Sequence, residues 1–137
     1  MKIFVDTNIF IDILQQRDVF CEDSSLVYKL CENNMIEGYI APITINNIHY
    51  ICRKTNKVEM IKSFLFDISV YFNIATMNEE TIKKANYLPI NDYEESLQYA
   101  MALQIGCEYF VTRNTKDFKN ASHIKVLSPS EFVRVIA

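Results

Sequence analysis

The chain lacks tryptophan entirely and has only two glycines and three prolines among 137 residues. Glycine this rare marks a backbone need wherever it stands. No linker, internal repeat or low-complexity tract divides the chain, and its length suits a single domain over residues 1–137 with one core. No apolar run approaches membrane-spanning length, so no membrane association is expected. Lys2 leads straight into a strand-like segment without a signal-peptide pattern, and a cytoplasmic location is the expectation.

Metal-binding cysteine patterns are also missing. Cys21, Cys31, Cys52 and Cys107 form no CxxC pair, and His49 and His123 are far from ligand spacing. That argues against a zinc site and against a disulfide framework. The thiols are expected to be reduced and partly buried. Positive charge is not in excess either: the net charge is −3. Nucleic-acid binding through global charge is therefore excluded, and any such contact must come from local clusters. Two exist, Arg53, Lys54 and Lys57, and Arg113, Lys116 and Lys119.

What is present begins with Lys2–Asn8, K-I-F-V-D-T-N. The run Ile3-Phe4-Val5 reads as a strand buried on both faces, as in a parallel sheet. It stops at Asp6, Thr7 and Asn8, just before the helical pattern Ile9, Phe10, Ile13, Leu14. Ligands in open α/β sheets bind beyond the carboxyl ends of strands. Asp6 is thus a carboxylate delivered to a functional edge, or a helix N-cap, since all three residue types cap helices.

Alternation continues along the chain. Helical spacing over Leu26–Met35 follows a cap at Asp23 or Ser24, and Gly38 reads as a helix stop. Tyr39–Ala41 is a second strand closed by Pro42. Helices follow from about Thr44 to Cys52 and over Val58–Phe66, then a third strand over Ser69–Ala75. Asn78 caps a helix over Glu79–Leu88. Asp92 precedes the helix Tyr93–Ile105, which Gly106 closes. Tyr109–Thr112 is a fourth strand, Arg113–Ala121 a polar loop and Ile124–Leu127 a fifth strand. Ser128-Pro129 opens a last helix. Strands alternating with helices imply a three-layer α/β/α sandwich around a central parallel sheet of four to five strands.

Acidic residues gather where these strands end and helices begin: Asp6, then Asp92, Glu94 and Glu95, then Asp117. Crowded carboxylates repel unless a cation joins them. They are either dispersed caps or a site for a hard cation such as Mg²⁺, which binds a few carboxylates and keeps water or phosphate oxygens on its remaining positions. Such an ion suits phosphodiester hydrolysis. Spacing alone does not decide between the two.

The ordered set of motifs resembles PIN-domain proteins. The opening F-V-D-T-N-I-F-I-D is similar to theirs. Ile43–Lys54 resembles the helix of their second motif, Asp92–Leu103 their third, Val111–Phe118 their fourth, and L-S-P-S-E-F their close. The resemblance spans almost the whole chain and is nearest to the small VapC-like toxins. It implies an endoribonuclease dependent on Mg²⁺ or Mn²⁺, with an RNA substrate, a cognate antitoxin protein and a homodimeric state. Position by position, it implies Asp6, Glu95 and Asp117 as metal ligands, with Glu94 as the alternative or additional ligand beside Glu95. Thr112 and Asn114 correspond to polar residues lining the site. Arg113, Lys116 and Arg53 are the candidates for contact with the RNA backbone.

One position departs from the pattern. Asn47 stands where many relatives carry Glu, and an amide oxygen brings no charge. Metal affinity should fall, unless Asp92 or Glu94 replaces the lost carboxylate. The alternative reading is a weakened PIN-like module that binds RNA or protein without cutting. A phosphotransfer protein is disfavoured, because Asp6 is followed by Thr7-Asn8 rather than completing a D-x-D pair.

Overall fold

The computed structural model describes residues Met1–Ala137. Strand β1 (Lys2–Val5) runs into α1 (Thr7–Leu14) and α2 (Cys21–Glu32), and β2 (Glu37–Ile40) into α3 (Pro42–Cys52) and α4 (Val58–Tyr71). Next come β3 (Asn73–Ile74), α5 (Glu79–Tyr87), α6 (Tyr93–Ile105) and β4 (Tyr109–Val111). A single 3₁₀ turn (Thr115–Phe118), β5 (Lys125–Leu127) and α7 (Pro129–Ile136) complete the chain.

The five strands lie in the order β3-β2-β1-β4-β5, and every neighbouring pair is parallel. The α/β sandwich expected from the alternation is thus found. Phe4 sits opposite Tyr39 on one side and Phe110 on the other, at the middle of the sheet. Successive strand side chains face opposite ways, and β1 shows the result. Ile3 and Val5 join a core of 17 buried residues with Phe10, Val27, Ile61, Ile68 and Phe132. Phe4 joins the other core of 11 residues, with Tyr99, Met101, Phe110 and Phe118. Its ring stacks on Phe110, centroids 5.4 Å apart.

Helix ends follow local chemistry. Asn78 and Ser128 each make a reciprocal capping box with the residue three positions on, Thr81 and Glu131. Gly106 closes α6 with a φ of 83°, the left-handed conformation that favours glycine.

The structure corrects several expectations. Ser69–Tyr71 belong to α4 rather than to a third strand, which is only Asn73–Ile74. The apolar residues Ile61, Phe64, Leu65, Ile68 and Phe72 recur at three- and four-residue spacing, and all pack on the larger core. That helical period overrides the β-branched and aromatic run. Helix α2 begins at Cys21, without a side-chain cap, and Ser24 is buried in its second turn. The expected polar loop after β4 contains the 3₁₀ turn, which exists to bury Phe118. Cys31, Cys52 and Cys107 are buried free thiols, and Cys21 is half-buried.

Gly38 is not a helix stop. It lies in β2, where a Cβ would fall 2.6 Å from the Phe72 ring and 2.7 Å from Cys31 Sγ. Gly38→Ala is expected to destabilise the fold by about 1–3 kcal/mol through overpacking. It should lower the urea midpoint with little change in slope. An unaltered midpoint would contradict the close approach of α2, α4 and β2.

Candidate functional site

The strand order doubles back between β1 and β4, so a crevice opens beyond their carboxyl ends. Asp6 leaves β1 there and Thr112–Asn114 leave β4. Asp6 is 5% exposed. Its Oδ1 accepts the Thr7 amide N–H at 2.7 Å, and its Oδ2 accepts the Thr112 hydroxyl at 2.7 Å. Asp6 therefore caps α1 and also lines the crevice. Thr112 Oγ1 in turn accepts the Asn114 amide at 3.0 Å. One hydroxyl thus orders the carboxylate and the following loop together.

Helix α6 brings its N-terminal turn to the same place. Asp92 caps it, accepting the Glu95 amide at 2.9 Å. Glu94 accepts the Asn47 side-chain amide at 2.6 Å. Glu95 Oε2 and Gln98 Oε1 are buried without a hydrogen-bond partner. Helix α3, which carries Asn47, is tied to α1 by the buried hydroxyls of Thr7 and Thr44, 2.9 Å apart. The result is a cleft of about 170 Å³ into which Asp6, Asn47, Asp92, Glu94, Glu95 and Asn114 all project.

Negative charge accumulates without relief, since no Lys, Arg or His lines the cleft. Burial pushes the Asp6 pKa up, against hydrogen bonds from Thr112 and Thr7 that pull it down. Burial also raises Glu94, against the Asn47 amide. Glu95 is pushed up to about 8, first by burial and then by the carboxyls of Asp117, Asp92 and Asp6. Carboxylates this reluctant to ionise together, with an orphaned buried oxygen among them, form a donor set suited to a hard divalent cation. No three His, Cys, Asp or Glu side chains stand close enough together to hold a metal ion as a group. Mg²⁺ does not require such a group, because it is usually held by one or two carboxylates with water on the other positions.

The expected acidic and polar residues are brought together, while Arg53 and Arg113 stand apart from them. Asp6, Glu94, Glu95 and Asn114 line the cleft, and Thr112 stands behind Asp6. Asp117 lines an adjoining hollow of about 390 Å³ with Lys116 and sets its carboxyl against that of Glu95, and Asp92 lines both spaces. Arg53 is exposed and stacks on Tyr50, 3.9 Å from the ring centroid. Arg113 points away from the cleft onto Asp12, at 2.7 Å, so the expected phosphate contact does not suit its position. Sequence reasoning overlooked Gln98 and Asp12. Gln98 was within reach: it lies three and four residues after Glu95 and Glu94, on their face of the helix. Asp12 offered only the oddity of a carboxylate inside an apolar helix.

Comparison with known proteins bears on the chain as a whole. The profile of the family described as PIN domain matches residues 2–116. Ribonuclease VapC1 of Aquifex aeolicus is 29% identical over 139 residues, covering 96% of this chain and 92% of the relative. Among solved structures, the VapBC2 complex of Rickettsia felis bound to a promoter DNA fragment has a chain that superposes with a TM-score of 0.69. That chain is 20% identical, and the match covers 93% of this chain and 98% of the other. A toxin–antitoxin complex from Klebsiella pneumoniae contains a chain with a TM-score of 0.68 at 21% identity, covering 92% and 96%.

The raised Glu95 pKa carries a stability consequence. Its ionisation costs nothing below the ordinary value of 4.5, and the cost grows until pH passes about 8. Metal-free protein therefore loses stability across that window. Glu95→Gln should raise the melting temperature of chelator-treated protein more at about pH 9 than at about pH 5. A difference that does not vary with pH would contradict the crowding of carboxyls around Glu95.

Proposed function

The chain belongs to the PIN domain family, and on that footing we propose that it is a Mg²⁺- or Mn²⁺-dependent endoribonuclease, the toxin of a toxin–antitoxin pair. The observation that carries this reading is the cleft itself. Asp6, Glu94 and Glu95 line one cleft beyond β1, and no basic side chain lines it with them. A ribonuclease relative that matches nearly the whole chain supports it. Toxin–antitoxin complexes among the structural neighbours support an antitoxin partner. We take the protein to act as a single cytoplasmic domain, paired as a homodimer.

Roles follow from placement. Asp6 and Glu95 would hold the metal. Thr112 fixes one Asp6 oxygen, and Asn47 fixes one Glu94 oxygen and leaves the other free to join them. Asp117 adds charge from the adjoining hollow. The ion brings charge neutralisation at a phosphate and a lowered pKa for water. Asn114 offers an amide at the cleft to orient water or a phosphate oxygen. Lys116, on the hollow beside Asp117, and the exposed Arg53 are placed to meet the RNA backbone.

Asn47 favours one competing reading, a PIN-like module that binds without cutting, because it contributes an amide where a carboxylate would add charge. A mixed RNA pool separates the two. The purified, partner-free protein should cut RNA with Mg²⁺ or Mn²⁺ and stop with EDTA. Asp6→Asn should reduce the rate by more than the about 10- to 100-fold typical of losing a supporting contact. Asn47→Glu should tighten Mn²⁺ binding while lowering the melting temperature in EDTA, since it adds a like charge beside Glu94. A folded, partner-free protein that leaves RNA intact under all these conditions would establish the binding module instead.

A further inference from the structure

Asp12 is a carboxylate with no exposed side-chain surface, in the interior face of α1. Arg113 Nε lies 2.7 Å from its Oδ2, and an Arg17 guanidinium nitrogen lies 3.4 Å from its Oδ1. Ser24 donates to it at 3.4 Å. The guanidinium of Arg113 also stacks on Phe20, 4.2 Å from the ring centroid, and its side chain is 21% exposed. Val19, just before Phe20, has a φ of 73°, a left-handed conformation rare for a β-branched residue. The turn that brings Phe20 under Arg113 is thus held against local preference.

The position of Arg113 in the chain gives this cluster its meaning. It stands between Thr112, whose hydroxyl holds Asp6, and Asn114, which lines the cleft. The chain bends at Arg113 just past β4, so that Thr112 meets Asp6 and Asn114 lines the cleft while Arg113 reaches Asp12. Asp6 and Asp12 lie on the same helix, one as its N-cap and one in its second turn. The contacts close a loop: Asp6 to Thr112, along the chain to Arg113, across to Asp12, and back through α1 to Asp6. Buried ion pairs add little net stability beside apolar replacements of the same shape, so orientation is what this one contributes.

We propose that the Asp12–Arg113 pair is a positioning device for the metal-binding cleft, clamping the Thr112–Asn114 segment to α1 so that Thr112 keeps the Asp6 carboxylate aimed inward. The proposal rests on the reading of the cleft as a metal site. It also assigns Arg113 a place in the protein rather than on RNA.

The test is the double variant Asp12→Asn with Arg113→Gln, which removes the pair without leaving a buried charge unmatched. Mn²⁺ affinity is measured by calorimetry, and metal-free RNA binding is measured over a series of salt concentrations. The double variant should bind Mn²⁺ about 10- to 100-fold more weakly, the usual cost of losing a contact behind a ligand. Its RNA affinity and salt dependence in EDTA should match wild type. Unchanged Mn²⁺ affinity would overturn the proposal and make the pair a core contact only. A salt slope reduced by about one, with Mn²⁺ affinity retained, would overturn it in favour of a phosphate contact.

Phe20→Leu is the second probe, at an exposed position outside both cores. Loss of the stack should weaken Mn²⁺ binding about 2- to 5-fold, and no change would count against the clamp. If wild type itself fails to bind Mn²⁺, the metal reading falls first and this proposal with it.

Discussion

A carboxylate buried at the end of a central strand must be stabilised by hydrogen bonds, by a cation or by a proton. Asp6 has two hydrogen bonds, to the Thr7 amide and the Thr112 hydroxyl, and they do not fully offset its burial. Its neighbours deepen the problem. Glu95 is pushed up to about 8, and Glu94 is raised despite the Asn47 amide. The chain places no basic residue in the cleft, while Arg113, one residue beyond Thr112, is committed to Asp12. The charge of Arg113 is kept on the far side of the segment that lines the site. What remains is a proton, or a cation from solution that displaces it, and the proposed chemistry takes the cation.

The fold makes the crowding possible. With β1 in the middle of five parallel strands, its carboxyl end is flanked by those of β2 and β4. Helix α3 follows β2 and brings Asn47, and the segment after β4 brings Thr112 and Asn114. Helix α6 covers the opposite face and presents its N-terminal turn, where negative side chains are favoured by the helix dipole. That preference makes Asp92, Glu94 and Glu95 ordinary residues for a helix start. It also means that any one of them, seen alone, tells nothing about function.

Much of this was legible in the sequence, and the failures have physical causes. The β1 segment was readable because its apolar run ends abruptly at Asp6. Asp92, Asn78 and Gly106 were readable because caps obey local chemistry. The third strand was misjudged because β-branched residues suit strands and also fill helix faces, and the three- and four-residue period from Ile61 to Phe72 prevailed. Gly38 was misjudged because a glycine needed for close packing looks like a glycine needed for a turn. Arg113 marks a deeper limit. Sequence places it beside the site, but only the backbone direction shows that it faces Asp12. Capping does not take Asp6 out of the cleft, since one oxygen caps the helix while the carboxyl group still lines it.

The central claim is that the cleft carboxyls share too few charges until a divalent ion arrives. Counting protons tests it most directly. Mn²⁺ is titrated calorimetrically near neutral pH in buffers of different ionisation enthalpy, so that proton release is read from the buffer dependence of the heat. The account predicts release of about one proton per ion bound by wild type, and almost none by Glu95→Gln. Tight binding without proton release would show that Glu95 is already ionised in the metal-free protein, and would contradict the account.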